Sequence, residues 1–148
     1  MRKTPWILTA FFFATTALAA DFTGTWKLNL QKSKNTGPKI ASQTMKIEQT
    51  GPNSFRTTID VTLNSGEQRH QERNRTYDGK EHPSQGVGVP PNQSETCAIN
   101  DQGERTITIK QDGKVLTEIK SSVSADGRTL TNVTTQGGDQ VVGVFDKQ

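Results

Sequence analysis

Beyond residue 20, apolar and polar side chains alternate with a period of two along much of the chain. Phe55, Thr57, Ile59, Val61 and Leu63 share one face of a ribbon, and Arg56, Thr58, Asp60 and Thr62 share the other. Val115, Thr117, Ile119, Ser121 and Val123 repeat the arrangement, as do Arg105, Ile107 and Ile109. Period two over this length belongs to a β-strand with one buried face and one wet face. Between these runs come Gly51-Pro52-Asn53, Asn64-Ser65-Gly66, Asp78-Gly79, Asp112-Gly113, Asp126-Gly127 and Gly137-Gly138-Asp139, residues that supply the positive φ of tight hairpin turns. The spacing predicts about nine strands, at 23–30, 42–50, 54–64, 67–77, 94–99, 104–111, 114–123, 128–135 and 140–146. No segment carries a 3.6-residue apolar stripe, so any helix is short. Consecutive hairpins with short connections predict an all-β fold, an antiparallel up-and-down β-barrel of about 8–10 strands whose closure removes exposed edges. A two-sheet β-sandwich is the alternative. One connection departs from the pattern: Pro83–Gln93 is rich in Gly and Pro and too long for a hairpin turn. It reads either as a flap over the barrel mouth or as a plain connector.

The first 20 residues are of a different kind. Arg2 and Lys3 precede an apolar run from Ile7 to Ala14, and Ala17-Leu18-Ala19 has the small-x-small form that a signal peptidase reads. The expectation is an export signal over 1–20 cleaved near Ala19/Ala20, leaving one domain over 21–148. The product would be periplasmic or secreted, with no membrane insertion after cleavage, since no later run is long and apolar enough to span. Cleavage removes two cations, so the formal charge of +3 falls to +1. Nucleic-acid-binding domains keep a strong positive excess, which excludes that class here. Cys97 is the one cysteine, so no intrachain disulfide forms; at this size that suits a bacterial exported protein better than a eukaryotic one. Only five aromatic residues follow position 20: Phe22, Trp26, Phe55, Tyr77 and Phe145. A barrel of this strand number has room for one small ligand, and few large side chains are present to fill it.

Phe22-Thr23-Gly24-Thr25-Trp26-Lys27-Leu28 opens the domain, and Gly-x-Trp at the start of the first strand resembles the opening of the calycins, the lipocalins and fatty-acid-binding proteins. Asp112-Gly113-Lys114, Asp126-Gly127 and Val144-Phe145-Asp146-Lys147 resemble the last three strands of fatty-acid-binding proteins in spacing and residue type. The resemblance covers about a third of the domain. It implies a lipocalin-like barrel plugged at one end by Trp26. It does not carry over the ligand. Where those proteins grip a carboxylate with Arg-x-Tyr, this chain reads Gly143-Val144-Phe145. Lys120 falls near their other internal arginine when the Asp112-Gly113 turn is aligned. The two-helix lid has no counterpart, because Gln31–Ile40 is short and contains Gly37-Pro38.

The most unusual stretch is Glu67–Tyr77, which is polar on both faces. If Tyr77 points inward, alternation carries Arg75, Arg73 and Arg69 inward with it. Buried guanidinium groups need carboxylate or phosphate partners, and the barrel would then be an anion receptor with Arg105 and Lys120 as helpers. The plainer reading is a solvated edge strand whose charges oppose aggregation. His70, His82, Glu72 and Glu81 are metal-ligating types without a diagnostic spacing. Cys97 alternates with Glu95 and Ile99 and packs as a small apolar residue. The chain shows no catalytic motif, cofactor fingerprint or metal motif.

The reading that follows is a non-catalytic exported barrel that binds a small apolar or anionic molecule, with no cofactor. Trp26, Phe55, Arg73, Arg75, Tyr77, Arg105 and Lys120 are its candidate ligand-binding residues. The alternative is a structural or interaction protein of the cell envelope without a ligand cavity.

Overall fold

The computed structural model describes residues 20–36 and 39–148; residues 1–19, which hold all but the last residue of the expected export signal, and Gly37-Pro38 lie outside the described residues. Ten strands form it: β1 Gly24–Leu28, β2 Ile40–Gly51, β3 Ser54–Leu63, β4 Gln68–Thr76, β5 Glu81–Pro83, β6 Gln93–Ile99, β7 Arg105–Gln111, β8 Lys114–Val123, β9 Thr129–Gln136 and β10 Asp139–Lys147. They pair in the order β4-β3-β2-β1-β10-β9-β8-β7-β6-β5, every neighbour antiparallel. The first and last strands lie side by side, with Trp26 opposite Lys147 and Leu28 opposite Phe145. This is the up-and-down barrel that hairpin punctuation predicts, and no sandwich.

Two features correct the sequence reading. The first is a tenth strand, β5, only three residues long, formed where Glu81–Pro83 pairs with Ser94–Thr96 of β6. The second is the Gly/Pro-rich connection, which is neither a flap over the mouth nor a plain connector. It runs along the open edge of β4: the Asn74 amide donates to Gln85 O at 3.0 Å and the Glu72 amide to Val87 O at 3.3 Å. The loop thus stands in for the missing β4–β5 ladder and covers the barrel's one seam. Gly86 permits the close approach, having a φ of +137° and lying so near β4 that a Cβ would meet Glu72 O at 1.9 Å.

Burial follows the alternation. Phe55, Thr57, Tyr77, Cys97, Ile107 and Leu130 are buried, whereas Lys46, Arg56, Asp60, Glu118 and Lys120 are exposed on the outer faces. Such an outside is the reverse of the apolar band that a lipid-facing barrel presents. A register shift between Ile109 and Lys110 ends the pattern in β8: Ile109 pairs with Thr117 but Lys110 with Val115. Leu116 is the extra residue of a β-bulge, and Val115, which alternation alone places inward, is 60% exposed.

One end of the barrel is closed. Trp26 is fully buried and its indole Nε1 donates to Phe22 O at 2.9 Å. Phe22, Leu28, Leu130 and Phe145 are buried in the same cluster. At the other end, among the described residues, no helix covers the mouth; Asn29–Lys34 makes a turn held by Ser33 Oγ and by a bridge from Lys34 to Val142.

Candidate functional site

Strand β4 and the residue that follows it deliver Arg73, Arg75 and Tyr77 to the interior by simple alternation. Its partner residues show the face: Arg75 lies opposite Phe55 and Arg73 opposite Thr57, both inward positions. Arg73 and Arg75 are each 9% exposed and Tyr77 8%, which overturns the solvated-edge reading for this half of the strand. Arg69, nearer the mouth, is exposed and pairs with Glu67 at 2.7 Å.

The three buried arginines have different partners. Arg75 Nε contacts Glu95 Oε2 at 3.1 Å, and both groups are buried. Arg73 donates to carbonyls, from Nη1 to Glu72 O and Val87 O at 2.8 Å each and from Nη2 to Gly88 O at 3.3 Å. Its guanidinium therefore staples the seam loop with three of its five N–H groups. Arg105, 5% exposed, places its guanidinium carbon 4.1 Å from the Phe22 ring centre, 4.0 Å from Phe55 and 4.6 Å from Tyr77. Phe55 and Tyr77 meet edge to face at 5.6 Å. Cation–π attraction offsets part of the cost of burying this charge. Among the described residues Arg105 has no ion-pair partner, and its Nε has no hydrogen-bond partner.

Three hollows adjoin inside the barrel. The first, about 90 Å³, is walled by Met45, Ile47, Ile59, Ile107, Ile119 and Leu130, with Arg75, Tyr77, Arg105, Ser121 and Asn132 as its polar lining. A second of about 140 Å³ shares Asn132 with it and lies against Leu28, Val141 and Phe145. A third of about 420 Å³ shares Ile59 with the first and reaches the mouth between Lys39, Leu63 and Arg69.

Burial sets the ionisation of the site. It pushes the Tyr77 hydroxyl up, against the opposing pull of Arg75 and Arg105. It holds Arg105 and Arg73 below their ordinary values, with Arg75 adding repulsion at Arg73. Burial, helped by Glu95, drives the Cys97 thiol to about 12, so it is a neutral packing group and no nucleophile at ordinary pH.

Of the seven candidate residues, Phe55, Arg73, Arg75, Tyr77 and Arg105 gather toward the closed end of the barrel. Trp26 is the plug and does not line the hollows. Lys120 is a correction: it is exposed on the outer face, and its neighbour Ser121 points inward. His70 pairs with Asp60 at 2.6 Å and His82 with Asp78 at 3.0 Å. Among the described residues no three His, Cys, Asp or Glu side chains converge as metal ligands. Sequence reasoning missed Glu95, Ser121 and Asn132. Glu95 was within reach, because alternation with Cys97 makes it an inward carboxylate needing a cation. Asn132 was not, because Thr129–Gln136 is polar on both faces.

No protein-family model matches the chain, and no curated protein is similar to it in sequence. Solved structures do share its fold. Wild-type fluorescent protein UnaG superposes with a TM-score of 0.65 at 17% identity, covering 86% of this chain and 97% of that one. A Schistosoma mansoni fatty-acid-binding protein in complex with arachidonic acid gives 0.62 at 14% identity, over 88% and 98%. An SAHS protein from Ramazzottius varieornatus gives 0.63 at 13% identity, over 86% and 95%. The chain thus has a calycin-like barrel fold, as its Gly-x-Trp opening and closing hairpins imply.

Proposed function

We propose that this protein is an exported, non-catalytic barrel that binds a small, largely apolar molecule in its interior. One observation carries the reading: adjoining hollows with apolar walls run from the closed end to a mouth that no helix covers among the described residues. Apolar concavities with a few placed polar groups are the usual form of small-molecule sites. The arachidonic acid complex of the Schistosoma mansoni protein supports the same use of a similar barrel. Cys97 is held protonated, and His70 is engaged with Asp60 on β3 and His82 with Asp78 in the turn before β5, which supports binding over catalysis. The Arg2-Lys3, apolar run and Ala17-Leu18-Ala19 pattern supports export; the mass of the protein recovered from the extracytoplasmic fraction tests it, and an intact Met1–Ala20 segment refutes it.

The binding test uses a neutral apolar fluorophore, N-phenyl-1-naphthylamine, titrated into purified protein. The expected result is saturable one-to-one binding that Ile59→Trp weakens at least about ten-fold, because Ile59 lines two of the hollows and the larger ring fills their junction. Absence of saturable binding overturns the proposal.

A further inference from the structure

Arg105, Ser121 and Asn132 are direct neighbours on three consecutive strands: Arg105 pairs with Ser121, and Ser121 with Asn132. All three line the hollow of about 90 Å³. They form a polar row across a wall that is apolar on either side, with Ile107 and Ile119 paired above it and Val123 and Leu130 below. On the next strand Gly143 faces Asn132, and the Phe145 ring packs over the place its side chain would take.

Two atoms of the row are stranded. Arg105 Nε and Asn132 Oδ1 are buried and have no hydrogen-bond partner among the described residues. Buried polar groups are nearly always paired, and an orphan costs folding free energy. The aromatic faces around Arg105 attract its charge, and the Tyr77 hydroxyl lies close enough to interact with its guanidinium, but neither satisfies Nε. Arg75, its neighbour in the interior, already has Glu95 at 3.1 Å, whereas Arg105 makes no close ion pair among the described residues and feels the Asp21 carboxylate only at longer range. One donor with a positive charge and one neutral acceptor thus remain open in the same small space.

We propose that this row is a head-group site for an amphipathic molecule bearing a carboxylate with a hydroxyl a few atoms away. The carboxylate accepts from Arg105 Nε, and the hydroxyl donates to Asn132 Oδ1. Ser121, between them, serves either group. The apolar remainder of the ligand runs past Ile59 toward the mouth. The site differs from the Arg-x-Tyr grip of fatty-acid-binding proteins: those positions are Gly143 and Phe145 here, and the cation sits on β7. The inference rests on the reading that the interior binds a small apolar molecule.

Displacement of bound N-phenyl-1-naphthylamine separates the two. Dodecanoate should displace it at a concentration at least about ten-fold lower than methyl dodecanoate, since hydrogen bonds to charged groups are the stronger ones. 3-Hydroxydodecanoate should gain a further factor of about five over dodecanoate. Arg105→Met should erase the acid–ester difference, and Asn132→Leu should erase the hydroxyl gain while keeping the acid preference. Acid and ester displacing alike from the unmodified protein overturns the head-group site and leaves the cavity reading standing. Equal displacement by dodecanoate and its 3-hydroxy derivative overturns the paired carboxylate–hydroxyl assignment. A neutral probe that fails to bind removes both readings. The comparison on unmodified protein decides the matter even if a variant does not fold.

Discussion

Arg75 on β4 and Glu95 on β6 form a buried ion pair, Nε to Oε2 at 3.1 Å, across the seam where the barrel lacks a strand ladder. Side chains here do what backbone hydrogen bonds do elsewhere in the sheet. Removing one partner leaves a charge buried without compensation, which costs about 3–5 kcal/mol. Glu95→Gln and Arg75→Met should each lower the urea midpoint of unfolding strongly. The double variant should recover much of the loss, because both charges go together. Additive losses would show that the pair is not coupled.

Gly86 is the second closure of the seam. A Cβ there would lie 1.9 Å from Glu72 O, at a φ of +137°. Gly86→Ala should lift the loop from β4 and cost about 1–3 kcal/mol. Hydrogen exchange locates the effect: the Glu72 and Asn74 amides, which donate to Val87 O and Gln85 O, should lose protection before any amide of β8 or β9. Unchanged exchange at those two amides would show that the loop does not hold the edge.

Cys97 predicts a pH dependence. Burial, with Glu95 nearby, raises its thiol from the ordinary 9.0 to about 12. The folded chain then keeps a proton that the unfolded chain releases, so stability is unaffected below about pH 9 and falls as pH rises from there toward 12. Tyr77, also raised by burial, adds to the fall above its ordinary value of 10.0. Urea midpoints at pH 8 and pH 10.5 should show the decline, and Cys97→Ala should reduce it. Labelling with 5,5′-dithiobis(2-nitrobenzoate) at pH 8 should be slow until denaturant is added; rapid labelling of the folded protein would contradict the burial of the thiol.

Lys120 lies on the outer face, away from the hollows. Lys120→Glu should change stability by no more than about 0.5 kcal/mol and leave dodecanoate displacement within two-fold of the unmodified protein. A large loss of affinity would place this lysine at the ligand after all.

Trp26 should cost about 3–5 kcal/mol on replacement by Ala, since the fully buried indole plugs the closed end and caps Phe22 O. Calorimetric melting measures it. A small loss would mean that Phe22, Leu130 and Phe145 seal that end without it.

The period-two runs and their Asx-Gly turns determined the strands, the hairpins and the barrel, because each of these depends on residues close together in the chain. The alternation of β3 and β7 likewise carried Phe55, Ile59, Arg105 and Ile107 to the inside by itself. Tertiary structure decided the rest. Whether Arg75 was wet or buried depended on Glu95, twenty residues away. The seam depended on a loop whose partner is the open edge of β4. The alternation of β8 already put Ser121 inside with Ile119, and it was the alignment anchored on the Asp112-Gly113 turn that set Lys120 there instead. The bulge at Leu116 inserts one residue between that turn and the strand, and a one-residue offset reverses which side chains face inward. Pairing partners and register are properties of strands brought together from distant parts of the chain, and no local pattern carries them.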